Sequence, residues 1–387
     1  MTSRPDRYPI RIAAAALAAS ALMLLSVAAA PAATSPLGSP GAGVGGHSPG
    51  ALEWDDSSLR EIYNPDGRFY TYAPSVVREG ATEWIWSCHN DESGVIKDHI
   101  YLTRLVDGAV QESRSVLQAS PAPAWDSFHV CDPSVVAGNF NYDGTQYRYA
   151  MFYLGNDLDA SAHNQVGVAF ATDPEGPWTK YPEPLVTFDR TDQWGVGQPS
   201  AVSLAGKSGK ILLAYTRGDT STRAYVQSLD LSHMDRLRVG DPVLLPTEGL
   251  TGHDGALDYL NGYDIALDRT GHRVYTVREQ HPYPQDNPWW IGPSVQVNSI
   301  GTAELLKGDG AWRVEGDINE SLTGFTRNHN AGLVRTWTGS LPERDSLSVV
   351  FTDSCSSLPT VDDPDWSTAT CDSLFSYDLW EIEGSIE

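Results

Sequence analysis

Carboxylates recur at corresponding places in this chain. Asp132 opens the stretch DPSVVAGNFNYDGTQYRYAMFYLGND, and Asp264 opens DIALDRTGHRVYTVREQ, which runs to Arg278 and Glu279 with His281 just beyond. Ala73, Gln198 and Asn330 open three further stretches of the same shape: APSVVREGATEWIWSCHND, QPSAVSLAGKSGKILLAYTRGD and NAGLVRTWTGSLPERDSLSVVFTD. Two carboxyl groups facing one cleft can do acid–base work. Cleaving a glycosidic bond needs one acid to protonate the leaving oxygen and a second carboxylate to activate water or attack the anomeric carbon, while amides, acids and arginines hold hydroxyl groups. Asp132, Asp264 and Glu279 are the candidate catalytic groups. Each also has a plainer reading. Asp132 before Pro133 can cap a turn, and Asp264 can accept backbone hydrogen bonds between neighbouring units. His129, His253 and His329 can be packing residues.

The elements that would gather these residues are legible as a repeat. The stretches start at 73, 132, 198, 264 and 330, spaced by 59, 66, 66 and 66 residues, and a fixed long period marks repeat architecture. Each has an apolar strand, a Gly-containing turn, a second strand and a polar terminus. A further strand follows in each: HIYLTRL, QVGVAFATD, RAYVQSLDL, VQVNSIGTAEL and FSYDLWEIE. Long amphipathic helical patterns are missing after residue 50, so the chain is all-β. Units of about 60 residues with three or four strands suit blades of a β-propeller, here five, with a stacked sandwich as the alternative. The last unit lacks a fourth strand, and residues 60–72, REIYNPDGRFYTY, are expected to supply it and latch the ring.

In a propeller the start of each first strand and the end of each second strand open on one face. That face would gather Ala73, Asp132, Gln198, Asp264 and Asn330. It would also gather His89, Asn90, Asp91 and Glu92; Asn156 and Asp157; Arg217 and Asp219; Arg278, Glu279 and His281; and Asp353. The expected substrate contacts are His89, Asp91, His129, Trp194, Gln198, Arg278, His329 and Asn330. Trp125, Trp289 and Trp290 join Trp194 as candidate stacking platforms for sugar faces.

Composition bounds the partners. Arg4, Arg7 and Arg11 precede the run IAAAALAASALMLLSVAAA, followed by APAAT, which reads as a secretory signal peptide over residues 1–33 rather than a membrane span. Residues 34–50 form a linker rich in Gly, Pro and Ser, and residues 51–387 would be the propeller. The formal charge of -24 becomes about -26 once residues 1–33 are removed, which disfavours nucleic acid and anionic membranes as partners. A secreted, extracellular monomer is expected. In that oxidising setting Cys88, Cys131, Cys355 and Cys371 allow three pairings; proximity favours Cys355 with Cys371, leaving Cys88 with Cys131. No EF-hand loop, H-E-x-x-H run, phosphate-binding Gly loop or G-x-S-x-G elbow is present. No metal ligand is assigned and no cofactor is required.

The pattern DPSVV…YDGTQYRYAMFYLGND, continued by VGVAFATDPEGPWTKYPEPLV, resembles blades of the five-bladed glycoside hydrolases, above all family 43 and its relatives acting on arabinofuranosides and xylosides. The resemblance spans residues 60–385 and is strongest over 129–187. It implies a general base Asp opening blade one, a tuning Asp opening blade two, a general acid Glu opening blade three, and inversion of the anomeric centre. It also implies a possible structural calcium in the channel, as in some relatives. Asp132 matches the blade-two aspartate, but Ala73 and Gln198 stand where the base and acid would be. Shifting by one blade makes Asp132 the base and Asp264 the acid, and leaves Gln198 in the tuning place. The standard triad is not preserved in either register. Second-strand ends must then contribute. Glu279 comes first because VREQHPYPQDNPWW adds a long loop; Asp91 and Glu92 follow, then Asp254.

The expected function is hydrolysis of pentose- or furanose-containing polysaccharide or oligosaccharide, of arabinofuranosidase, arabinanase or xylosidase type. The alternatives are a lectin-like propeller without catalysis, and a lyase or transglycosylase on the same scaffold.

Overall fold

Val, Ile, Phe and Tyr alternating between Gly-containing turns form strands along the whole described chain. This computed structural model describes residues 52–65, 67–188, 193–206, 208–218, 221–285, 291–354 and 374–386. The expected leader and linker, Cys355, Cys371, Asp219, Trp289 and Trp290 lie outside the described residues.

β1 is Leu52–Tyr63. Unit one is β2 (Thr71–Glu79), β3 (Thr82–Asn90), β4 (Asp98–Val106) and β5 (Ala109–Leu117). Unit two is β6 (His129–Tyr142), β7 (Thr145–Asn156), β8 (Gln165–Ala171) and β9 (Thr179–Lys180). Unit three is β10 (Gly195–Ser203), β11 (Lys210–Gly218), β12 (Thr222–Asp230), β13 (Arg238–Val239) and β14 (Val243–Leu244). Unit four is β15 (Asp264–Leu267), β16 (Arg273–Glu279), β17 (Val295–Gly301) and β18 (Arg313–Ile318). Unit five is β19 (Asn328–Arg335), β20 (Ser346–Asp353) and β21 (Asp378–Ile386), and β1 pairs antiparallel with β21 as its outer strand. The added strand thus begins at Leu52 and ends at Tyr63, earlier than the expected 60–72, whose last two residues belong to β2.

Within units the strands run antiparallel and, apart from β1 and β14, in sequence order. The hairpins β4–β5 and β6–β7 close on Asp107-Gly108 and Asp143-Gly144, all four at positive φ, the geometry that matches strand twist in a two-residue loop. Units five and one meet in a short parallel ladder, Val334 with Val76 and Arg335 with Val77. Elsewhere successive first strands are joined by side chains. Ser75 Oγ accepts from Val135 N at 3.1 Å, Ser134 Oγ from Ala201 N at 2.9 Å, Ser200 Oγ from Ile265 N at 2.9 Å, and Asp264 Oδ2 from Leu333 N at 2.9 Å. Unit five has Gly332 at this rung because a Cβ there would stand 2.1 Å from the Pro74 carbonyl oxygen.

The apolar core is divided among the joints. Trp86 and Ile100 pack on Val135 and Met151 between units one and two; Phe152 and Phe170 on Ile211 and Leu213 between two and three. Leu212 and Val226 pack on Ile265 and Val274 between three and four; Val277 and Val297 on Leu333 and Phe351 between four and five. Val334 and Val350 then pack on Val76 and Ile85 of unit one. Every unit therefore packs apolar side chains against two others.

Candidate active site

Ala73, Asp132, Gln198 and Asn330 share an uncommon backbone state, with φ of 53°, 46°, 51° and 41°. Each stands at a register shift between its first and second strands. Three of the four precede proline, which adds a steric penalty of its own. Left-handed non-glycine residues cost about 1–3 kcal/mol each and persist where the surroundings fix them, and a bulge re-aims a side chain. All four line one cavity. It is small, about 40 Å³, room for a water or two, so a sugar ring would sit over it rather than within it.

Unit four departs from the pattern. Its left-handed residue is Gly262, at φ 52°, and Asp264 comes two residues later, at the rung held elsewhere by Ser75, Ser134 and Ser200. Asp264 touches the cavity wall, yet its oxygens accept from Ser200 Oγ at 2.5 Å and Leu333 N at 2.9 Å and pair with Arg335 Nη1 at 3.1 Å. A carboxylate tied to three groups in two other strands is a fastener. The expectation that Asp264 acts as acid is corrected on that ground.

Asp132 lines the same cavity. Beneath it lies the Cys88–Cys131 disulfide: its backbone N–H reaches Cys88 Sγ at 3.0 Å, and its Oδ1 stands 3.5 Å from Cys131 Sγ. Burial, with the charges of Asp98 and Glu279 adding to it, pushes the Asp132 carboxyl up to about 7 against a single offsetting bond from the Gln198 backbone. Asp98 goes the other way. Burial opposes its charge, but His129 and the hydroxyls of Tyr70 (2.6 Å) and Tyr72 (3.1 Å) outweigh it and hold the carboxyl below its usual range.

Glu279, at the end of β16, lies against Gly262, where a Cβ would come within 2.9 Å of its carboxyl carbon. It accepts from Tyr283 OH at 2.5 Å and Asn330 N at 3.2 Å. Burial still raises its pKa, while those two donors and His281 oppose the rise. His281 is held in turn by Asp258, whose carboxylate takes His281 Nδ1 at 2.9 Å and Arg278 Nη1 at 2.5 Å. Burial would raise the Asp258 carboxyl, yet His281 and Arg278 bring it down to about 2.

Several expected substrate contacts are supports instead. Arg278 is fully buried and donates to Asn298, Gln296 and the Thr251 carbonyl besides Asp258. His89 is buried flat on Tyr101 at 4.0 Å, and burial lowers its pKa. His329 is sealed from solvent against Tyr377, with its pKa brought down to about 4 by burial. Asp91 is exposed and bonds Gln118 away from the cavity, Glu92 is exposed, and Asp254 caps its own turn through Ala256 N. Trp125 stacks on Tyr153 in unit two. His129 sits behind Asp98, whose backbone N–H it accepts at 2.9 Å. Gln198 and Asn330 do face the cavity, and half-buried Trp194 packs beside the disulfide that floors it. Sequence reasoning missed Tyr70, Tyr72, Asp98, Asp258 and Tyr283, none of which occupies a repeated position. Among the described residues one cluster has metal-ligating atom types in range, Cys88, Cys131 and Asp132, and both sulfurs are spent in the disulfide.

No protein-family model matches the sequence, and no curated protein matches it. Solved structures do match. A thermostable family-43 glycoside hydrolase is similar at 17% identity with a TM-score of 0.53, over 82% of this chain and 91% of that one. A family 117 glycoside hydrolase from the marine bacterium Zobellia galactanivorans is similar at 12% identity and TM-score 0.54, over 87% and 90%. An α-L-arabinofuranosidase from Podospora anserina, solved with cellotriose, is similar at 10% identity and TM-score 0.51, over 86% and 97%. At these identities the likeness is one of fold, and the fold of this chain is that of these glycoside hydrolases.

Proposed function

We propose that the protein is an exported, monomeric five-bladed β-propeller that hydrolyses glycosidic bonds in pentose- or furanose-containing saccharides. The propeller reading is supported by five antiparallel units whose joints bury apolar side chains in cyclic order, the fifth returning to the first, and by the fold likeness to family-43 and family 117 enzymes. A two-sheet sandwich leaves that cyclic order unexplained.

The observation that carries the reaction is that Asp132 lines the cavity while Glu279 stands behind two other lining residues, Gly262 and Asn330. The charge of Glu279 adds to the burial that raises the Asp132 carboxyl. Glu279 has two donors, Tyr283 OH and Asn330 N, which favour its charged form, and on this reading the proton is on Asp132. Asp132 protonates the leaving oxygen as its bond to the anomeric carbon breaks. Glu279 takes a proton from water as the water oxygen bonds that carbon. Gln198, Asn330 and Trp194 hold the sugar over the cavity.

Assays on chromogenic arabinofuranosides and xylosides, with arabinan and arabinogalactan, test the reading. Turnover by the parent protein that Asp132→Asn reduces at least about 10³-fold supports it. A lectin is the second reading, favoured by Ala73 and Gln198 in place of acids. Glycan affinity without turnover, unchanged in Asp132→Asn, selects the lectin; an unsaturated product selects a lyase.

A further inference from the structure

The fold family raises the expectation of a cation among the inner strands, and the residues present there do not fit one. Arg335, on β19 of unit five, is fully buried. Its Nη1 donates to the carbonyl of Ile265 at 3.0 Å and of Ala201 at 3.3 Å and to Ser200 Oγ at 3.4 Å, and it pairs with Asp264 Oδ1 at 3.1 Å. Its Nη2 donates to Ser75 Oγ at 3.1 Å and Ser134 Oγ at 3.4 Å. The six oxygens come from units one, two, three and four, so a single side chain of the fifth unit is bonded to all the others.

We infer that the Arg335 guanidinium is a built-in cation that takes the place of a structural metal among the five inner strands. The cage has the number and kind of oxygens that a hard divalent ion takes, but such an ion wants them at about 2.3–2.6 Å. Here they surround a planar fork at hydrogen-bond distance. Charge agrees: one carboxylate, Asp264, balances one guanidinium, which does not deprotonate in proteins. A divalent ion beside Arg335 would leave excess positive charge buried, at a large desolvation cost. The serines are explained as well. Ser75, Ser134 and Ser200 each receive an N–H from the next unit and accept from Arg335 with remaining lone-pair capacity, so each hydroxyl ties three strands.

The test is metal analysis of the purified full chain together with thermal unfolding in excess EDTA and in added Ca²⁺. No stoichiometric metal and a Tm shift below about 1 °C in both arms are expected, since a ligand that binds only the native state would raise Tm. Arg335→Ala empties the cage while leaving its oxygens. It should lower Tm by roughly 10 °C or more, and millimolar guanidinium ion or Ca²⁺ should restore part of the loss. Arg335→Lys, which keeps charge but loses the fork, should fall between. Stoichiometric metal in the parent protein, an EDTA-induced drop of more than about 5 °C, or an Arg335→Ala protein as stable as the parent would each overturn the inference. If Arg335→Ala does not fold, the parent-protein measurements and Arg335→Lys still decide.

Discussion

Asp132, half-buried at the cavity, and buried Asp98 are two carboxyls driven apart by their surroundings, one toward neutrality and one toward charge. Such divergence is what separates a proton donor from a fixed anion. Because Asp132 titrates near 7, turnover that needs its proton should hold below that pH and fall as pH rises through it. Asp98→Asn removes a nearby negative charge, so the alkaline limb of the kcat/KM profile should move down by about one pH unit; an unmoved limb would detach Asp98 from the chemistry. Stability supplies an independent check. A carboxyl whose folded pKa lies above its unfolded one favours the native state at low pH, and that advantage is lost as pH rises from about 4 to about 7. Asp132→Asn removes the penalty, so at pH 8 the variant should be inactive yet more stable by about 2 kcal/mol, discounting the side of the carboxyl that faces cavity water. Urea unfolding at pH 5 and pH 8 reads the difference. Asp264→Asn should do the opposite, costing stability at both pH values because three bonds between strands are weakened.

At the scale of the strand, legibility followed repetition. The x-Pro-Ser openings at Ala73, Asp132 and Gln198 are readable because the pre-proline bulge and the serine rung need those residue types each time. Unit four meets the same geometry with Gly262-Tyr263-Asp264, where glycine reaches positive φ without strain and a carboxylate replaces the serine. A pattern search for an opening acid therefore settled two residues too far on, at Asp264. Tyr72, Asp98 and Asp258 were illegible for a related reason: each acts in one unit alone, so no period points to it. The outer strand was foreseen, but its span was set by pairing with β21 rather than by the aromatic run that drew attention to 60–72. Pairing β1 to β21 covers an edge, buries Leu52 and Ile62, and brings Arg60 to Glu381, itself fully buried. Arg60 is partly exposed, so Arg60→Ala should cost only about 1 kcal/mol. Deleting residues 52–63 should cost more and leave β21 as an uncovered edge prone to pairing with another copy. Light scattering of the deletion variant should show concentration-dependent association that Arg60→Ala lacks.

For the molecule as a whole, the joints between units differ in kind, and that sets where it gives way first. Four joints carry a side-chain rung between first strands, the fifth a two-residue parallel ladder, and only that between units one and two also has a described covalent bond, Cys88 of β3 to Cys131 of β6. The bond closes a loop of 43 residues in sequence separation, worth about 4 kcal/mol in the loop-closure account. It also forms the floor on which Asp132 rests, so one bond links the joint between units one and two to the position of the proposed acid. Cys88→Ala with Cys131→Ala should lower the urea midpoint and steepen the slope somewhat, since the unfolded chain freed of its cross-link exposes more surface. The same variant should lose kcat more than it gains in KM, because the lost support lies under the acid and not under the groups that hold the sugar. Equal changes in kcat and KM, or full activity at native stability, would show that the acid is positioned by its own left-handed backbone and that the disulfide serves the joint alone.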